Sequence, residues 1–240
     1  MSQEPPKVSD TFWPSLKKKL EEDAYNFGRL DLLCQICFES TAIAEGPYAE
    51  IHGIRDHRAT ILPCGHIFGD RCISQYLNGC EEQGLDPTCP ACRTKLEHEK
   101  CAHACLGMAV PSRQILICTV PPTLSEGGKI TELCCVCDLK DVVKFLLEEA
   151  LLEAILPINR SICVSADLSG DPVWFKPHDK GGDEEPDVEE VFDKSWELQQ
   201  FIDMSVRRLK AKHLRKWSTG NLAGLKLEAH VYKYEEQEED

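Results

Sequence analysis

Seven residues of this 240-residue chain stand at spacings a metal ion can use: Cys34-Gln-Ile-Cys37, Cys64-Gly-His66, Cys72 and Cys89-Pro-Ala-Cys92. Two cysteines with two residues between them can curl round one ion, each thiolate about 2.3 Å from a zinc. One such pair carries little weight. Two pairs that bracket a Cys-x-His and a further cysteine, with Pro90 inside the second pair, form a specific pattern of soft ligands.

That order of ligands resembles the RING finger, and the resemblance spans residues 34–93, a quarter of the chain. It implies a small ββα module cross-braced by two zincs with interleaved ligands. The first site would take Cys34, Cys37 and Cys72; the second would take Cys64, His66, Cys89 and Cys92. A RING finger supplies eight ligands, and the fifth normally falls three residues after the histidine. Gly69 occupies that position and has no donor, so the first site is one ligand short. If residues 58–63 form one strand of a hairpin turning at Cys64-Gly65-His66, residue 57 returns opposite Cys72 and Ile73. His57 is therefore the foremost candidate; Asp70 is an acceptable ligand type close by, and His52 and Cys80 lie further off. A glycine at the fifth position with a histidine upstream is similar to a variant among fungal RING proteins.

The resemblance extends to residues that bind no metal. In ubiquitin-ligase RING fingers an apolar residue between the first two cysteines contacts the ubiquitin-conjugating enzyme, and Ile36 holds that position. Pro90 matches the proline of the same surface, Tyr76 stands where the central helix usually offers a tryptophan, and Arg93 follows the last ligand as the basic linchpin. Arginine suits that task because its planar fork donates several hydrogen bonds at once. The implied activity is a ubiquitin ligase without a covalent intermediate. It would bind a ubiquitin-conjugating enzyme, ubiquitin and a protein substrate, and orient the thioester for transfer. Two alternatives stand beside it. One is a zinc-stabilised interaction module without ligase activity, suggested by Gly69 and Tyr76. The other is a ligase that forms its own thioester on Cys80 or Cys163, although neither has the His and acidic companions that would activate it.

The elements that must position these residues imply an α+β protein with helices flanking the zinc module and a mainly helical C-terminal region. Residues 1–30 carry an amphipathic helix over 10–27 that packs on the zinc module, with Asp10 as its cap, Phe12, Trp13, Leu16 and Leu20 on one side and Lys17, Lys18 and Lys19 on the other. The zinc finger occupies 31–97, with a long loop after Cys37 carrying the turn signals Gly46-Pro47 and Gly53, and a short helix Ile73–Leu77 ended by Asn78-Gly79.

Residues 98–138 hold a second Cys/His set, in which Cys101, His103, Cys134 and Cys137 form a candidate third zinc site. Cys105, Cys118 and Cys135 read as small buried hydrophobes. Residues 139–176 give a helix over 141–156, stopped by Pro157, and short strands Ser161–Ala166 and Val173–Lys176. A polar linker follows at 177–187.

Residues 188–234 read as a helix over 188–216 and a terminal strand. Val188, Val191, Leu198, Ile202 and Leu209 share one face of that helix. Glu189, Glu190 and Asp193 open it, and Arg207, Arg208, Lys210, Lys212, Arg215 and Lys216 form a solvated basic end. An acidic tail covers 235–240.

Hydrophobic residues make up 42% of the chain, enough for a core, and no segment has the length and apolarity of a membrane span or secretory leader. Fourteen cysteines in such a chain read as metal ligands in a reducing compartment, which places the protein inside the cell, in cytoplasm or nucleus. The expected cofactor is zinc, two ions and a candidate third. A net charge of −14 disfavours nucleic acid, whose binding depends on neutralising phosphates, and no membrane partner is expected.

Overall fold

Ala59-Thr60-Ile61 and Ile67-Phe68-Gly69 are short runs rich in β-favouring residues, and they pair as an antiparallel hairpin, β1 (Ala59–Ile61) with β2 (Ile67–Gly69). The register sets Ala59 against Gly69 and Ile61 against Ile67. β3 (Met108–Ala109) adds to the other edge of β1. The computed structural model describes residues 6–43, 57–152, 160–167, 172–175, 191–193, 195–219, 222 and 224–233. The chain divides into two compact units, Met1–Cys134 with Arg215–Thr219, and Cys135–Leu214 with Gly220–Asp240. Gly46, Pro47, His52, Gly53, Pro157, Lys176, the linker 177–187, Val188, Glu189, Glu190 and the tail 235–240 lie outside the described residues.

In the first unit α1 (Trp13–Glu22) buries Trp13, Leu16 and Leu20, a 3–4 residue spacing that makes one apolar stripe. It is shorter than 10–27, and Asp10 does not cap it. Phe12 is the N-cap residue, while the Asp10 carboxylate accepts from the Phe12 N–H at 3.2 Å and pairs with Lys19 at 3.2 Å. After Asp23 the chain tightens into a 3₁₀ turn, Ala24–Arg29, whose Tyr25 N–H donates to the Asp23 carboxylate.

α2 (Asp70–Glu82) buries Ile73, Leu77 and Cys80. It runs through Asn78-Gly79, because another turn carries Cys80 into the same buried stripe. Its stop signal is Gly84, at φ 66°. The N–H of Leu85 donates to the Cys80 carbonyl and that of Gly84 to Glu81, the paired bonds of a Schellman terminus, whose left-handed residue is best supplied by glycine.

Two apolar clusters fill the first unit. One joins Trp13, Leu16, Leu20, Ile61, Ile67, Val110, Ile117 and Trp217. The other joins Leu62, Phe68, Ile73, Leu77 and Leu96 with Cys34, Cys64 and Cys89. Trp217 enters from far along the sequence. Its indole N–H donates to the Pro122 carbonyl at 2.8 Å, and its carbonyl accepts from the Thr131 N–H at 3.0 Å.

The second unit sets two helices, α3 (Cys135–Leu152) and α4 (Trp196–His213), with a four-stranded antiparallel sheet. Its strands β4 (Arg160–Asp167), β5 (Pro172–Phe175), β6 (Val191–Phe192) and β7 (Lys226–Lys233) lie in the order β5-β4-β7-β6. The region is therefore organised round a sheet as well as helices. Among the described residues, Leu139, Val143, Leu146, Ile162, Val164, Leu198, Ile202, Leu209, Leu227 and Val231 form one core cluster.

α3 starts six residues before Asp141, because Cys135, Leu139 and Val143 continue the buried stripe N-terminally. α4 starts at Trp196 rather than 188: the Ser195 hydroxyl accepts from the Leu198 N–H at 3.2 Å and caps it. Val191 and Phe192 pair with β7, so Val191 and Asp193 are not helical. α4 ends at His213, leaving Arg215 and Lys216 outside it. Its basic end is not simply solvated, since Lys212 and His213 bond the buried Asp138 at 2.6 and 2.7 Å. Cys118 is exposed, contrary to its reading as a core residue, whereas Cys105 and Cys135 are buried. Among the described residues no helix is long and apolar enough to cross a membrane.

Candidate metal centres

The hairpin and α2 bring together the ligands of the deficient group. Cys34, Cys37, His57 and Cys72 place one donor atom each within 4.8 Å of the others. His57 sits just before β1, and its Nε2 is 3.1 Å from Cys37 Sγ and 4.0 Å from Cys72 Sγ. The reason a glycine stands at 69 is steric: a Cβ built there would land on the His57 imidazole. The histidine thus fills the space a side chain at 69 would need. Asp70 instead opens α2 and accepts from the Ser74 hydroxyl at 3.4 Å, and Cys80 is buried on the apolar face of that helix.

Cys64, His66, Cys89 and Cys92 form a second group, and Cys101, His103, Cys134 and Cys137 a third, with the same compactness. Each group offers three sulfurs and one imidazole nitrogen, a donor set suited to zinc. In a tetrahedron with Zn–S of about 2.3 Å and Zn–N of 2.0–2.1 Å, sulfur and nitrogen stand about 3.5 Å apart. Cys64 Sγ and His66 Nδ1 are 3.5 Å apart, as are Cys134 Sγ and His103 Nδ1. The 3.1 and 4.0 Å separations of the first group bracket the same value. Such sites, closed by four protein ligands, are structural ones that hold the chain and activate no water.

The surroundings decide which thiols ionise readily. Hydrogen bonding with the Cys64 thiol holds Cys89 down to about 5; burial opposes this, and the N–H groups of Cys92 and Ala91 assist it. The same contact pushes Cys64 up. Burial raises Cys34, but the N–H groups of Cys37, Gly69 and Ile36 outweigh it and leave the thiol lowered. Gly69 thus serves the first group through its backbone. Cys72 is pushed up to about 12, by burial first and then by Cys37 and Cys34. Cys105, which joins no group, is also pushed up to about 12, chiefly by burial.

Residues outside the metal groups complete the picture. Ile36 and Tyr76 are each 38% exposed, and Pro90 and Arg93 are exposed, although Cys34, Ile73, Leu77 and Cys89 beside them in sequence are buried. The N-terminal segment meets the zinc module, as its amphipathic pattern implied. The Phe12 ring lies 5.4 Å from the His66 ring, and the Trp13 N–H donates to the Gly65 carbonyl at 2.7 Å, so the N-terminal segment packs on the second group. Cys80 and Cys163 are both buried, which leaves neither sulfur open to a thioester partner.

Residues 34–92 match the family model described as the zinc finger of C3HC4 type, or RING finger. An uncharacterized RING finger protein of Schizosaccharomyces pombe is 32% identical over 98 residues, covering 38% of this chain and 11% of that protein. The E3 ubiquitin-protein ligase RFWD3 of Ailuropoda melanoleuca is 33% identical over 93 residues, 39% of this chain and 9% of that protein. RFWD3 of Homo sapiens is 38% identical over 65 residues, 27% of this chain and 6% of that protein. The chain thus spans about a tenth or less of the length of these relatives. No solved structure matches. Ligand spacing, donor geometry and family match agree: residues 34–92 of this chain are a RING-type zinc finger.

Proposed function

We propose that this chain is a RING-type ubiquitin ligase. The observation that carries the reading is the interleaving of the two groups: positions 34, 37, 57 and 72 converge at one, and 64, 66, 89 and 92 at the other. In this reading Cys34, Cys37, His57 and Cys72 hold one zinc and Cys64, His66, Cys89 and Cys92 hold another. The ions supply rigidity. Ile36, Tyr76 and Pro90, exposed around buried ligands, form the docking surface for a ubiquitin-conjugating enzyme. Arg93 bonds both that enzyme and the ubiquitin it carries. A substrate amine attacks the thioester carbonyl and the conjugating enzyme's cysteine leaves as thiolate, so the ligase contributes orientation and no covalent bond. The named activity of the RFWD3 relatives supports this assignment. The protein substrate and an intracellular site of action, cytoplasmic or nuclear, belong to the same proposal.

The test is thioester discharge with a panel of conjugating enzymes. Wild-type chain should accelerate discharge from at least one. Ile36→Ala should weaken docking, because buried apolar anchors carry much of an interface's energy. Arg93→Ala should slow discharge with docking largely intact, and both variants should keep their zinc. Failure of the wild type with every enzyme would leave a zinc-binding interaction module as the better reading.

A further inference from the structure

The turns that present the two Cys-x-x-Cys pairs of the RING finger share one backbone design. The N–H of the residue after the second cysteine donates to the carbonyl of the first, Phe38 to Cys34 and Arg93 to Cys89, each at 2.8 Å. The N–H of the first cysteine donates to the carbonyl five residues on, Cys34 to Glu39 at 2.9 Å and Cys89 to Thr94 at 2.8 Å. Phe38 and Arg93 are both left-handed, at φ 64° and 60°, a conformation uncommon outside glycine.

A third turn repeats this design outside the 34–92 match. Ala102 N–H donates to the His98 carbonyl at 2.8 Å, His98 N–H donates to the His103 carbonyl at 3.0 Å, and Ala102 has φ 57°. Cys101 stands where the second cysteine of each pair stands. His98 stands at the first position, but its buried ring is engaged elsewhere, with Nδ1 2.8 Å from the Thr131 carbonyl and Nε2 3.2 Å from Thr219 Oγ1. The turn therefore offers one sulfur from its own frame, and His103 adds a nitrogen two residues later.

The remaining donors arrive with residues 131–137. The Lys100 N–H donates to the Glu132 carbonyl at 2.8 Å, and the Cys134 N–H donates to Cys101 Sγ at 3.4 Å. The 3.5 Å between Cys134 Sγ and His103 Nδ1 equals the Cys64–His66 separation, and Cys137 completes four donors within 4.8 Å.

We propose that Cys101, His103, Cys134 and Cys137 bind a third structural zinc through a knuckle that duplicates the backbone of the RING turns. This zinc ties residues 98–103 to 131–134, where the Thr131 N–H holds Trp217 in the first core. The zinc-held module then extends beyond the family match by that segment.

Native mass spectrometry of the zinc-loaded full chain, after removal of loosely held metal, counts the ions. We expect three in the wild type, two in the Cys101→Ser/His103→Ala double variant, and three in the Cys118→Ser control. Two in the wild type, or three in the double variant, overturns the proposal. Should the double variant fail to fold, cobalt substitution of the wild type decides. Nine coordinating thiolates give a thiolate-to-cobalt absorption half again that of the six in two RING sites, and intensity for six alone overturns the third site. A count of two with active thioester discharge sinks this proposal alone; a count of three without discharge sinks the ligase reading alone.

Discussion

The two units of this chain reach stability by different routes. In the first, the buried apolar residues divide into two clusters, and one of them includes Cys34, Cys64 and Cys89 themselves. A segment as short as 34–92 is of a size at which a hydrophobic core alone gives marginal stability, and a structural zinc site contributes roughly 10–16 kcal/mol of apparent binding energy in small modules at neutral pH. In the second unit one continuous cluster joins α3, α4 and the sheet, and stability rests on burial at about 25 cal/mol per Å² of apolar surface. The contrast teaches that the same chain can position an exposed surface by metal geometry in one place and build an ordinary core in another.

The largest test of that contrast removes the metal. Chelation, or Cys64→Ser, should strip hydrogen-exchange protection from β1, β2 and α2, an effect of order 10 kcal/mol, while amides of β4 and β7 stay protected. Simultaneous loss in both units would break the comparison. Next, His57→Ala should cost the first RING site its zinc, and His57→Gly with Gly69→His should restore it, because a side chain at 69 would occupy the space of the His57 ring. Zinc counting checks both; an unchanged count in His57→Ala would remove this histidine from the site. In the second unit Ile202→Ala should cost about 2–5 kcal/mol in denaturant melts by leaving a cavity, with zinc content unaltered.

The smallest effect concerns Glu126, whose carboxylate accepts from the Thr123 N–H and hydroxyl, each at 2.8 Å. Burial raises its pKa, but these bonds outweigh it and leave it below the ordinary value. A depressed folded-state pKa means the contribution is present above the unfolded value and is lost as pH falls through the folded one. Glu126 is exposed, so solvent screens these bonds, and Glu126→Gln should flatten the acid limb of the first unit's stability by only about a few tenths of a kcal/mol, read from melts at pH 7 and below 4. An acid limb identical to wild type would show that this capping box adds nothing.

The short-range features are legible in the residues alone. Cys-x-x-Cys and Cys-x-His spacings are local, so a turn of three or four residues suffices to aim their donors at one point. The stripes Leu16–Leu20, Ile73–Leu77 and Leu198–Ile202 follow equally from helical periodicity. The deficiency at Gly69 was visible in the same way, as a missing donor. Which side chain stands there was not, since His57, Asp70, His52 and Cys80 all lay within reach along the chain. The β1–β2 register and the overlap of the His57 ring with the space at 69 decided it. Tertiary structure also paired Val191 and Phe192 with β7 instead of extending α4 back to 188, gave the strand order β5-β4-β7-β6, and returned Trp217 to a core formed some 100–200 residues earlier. Each of these depends on which apolar surfaces meet in space. That is a sum of contacts between residues far apart in sequence, and local spacing carries no record of it.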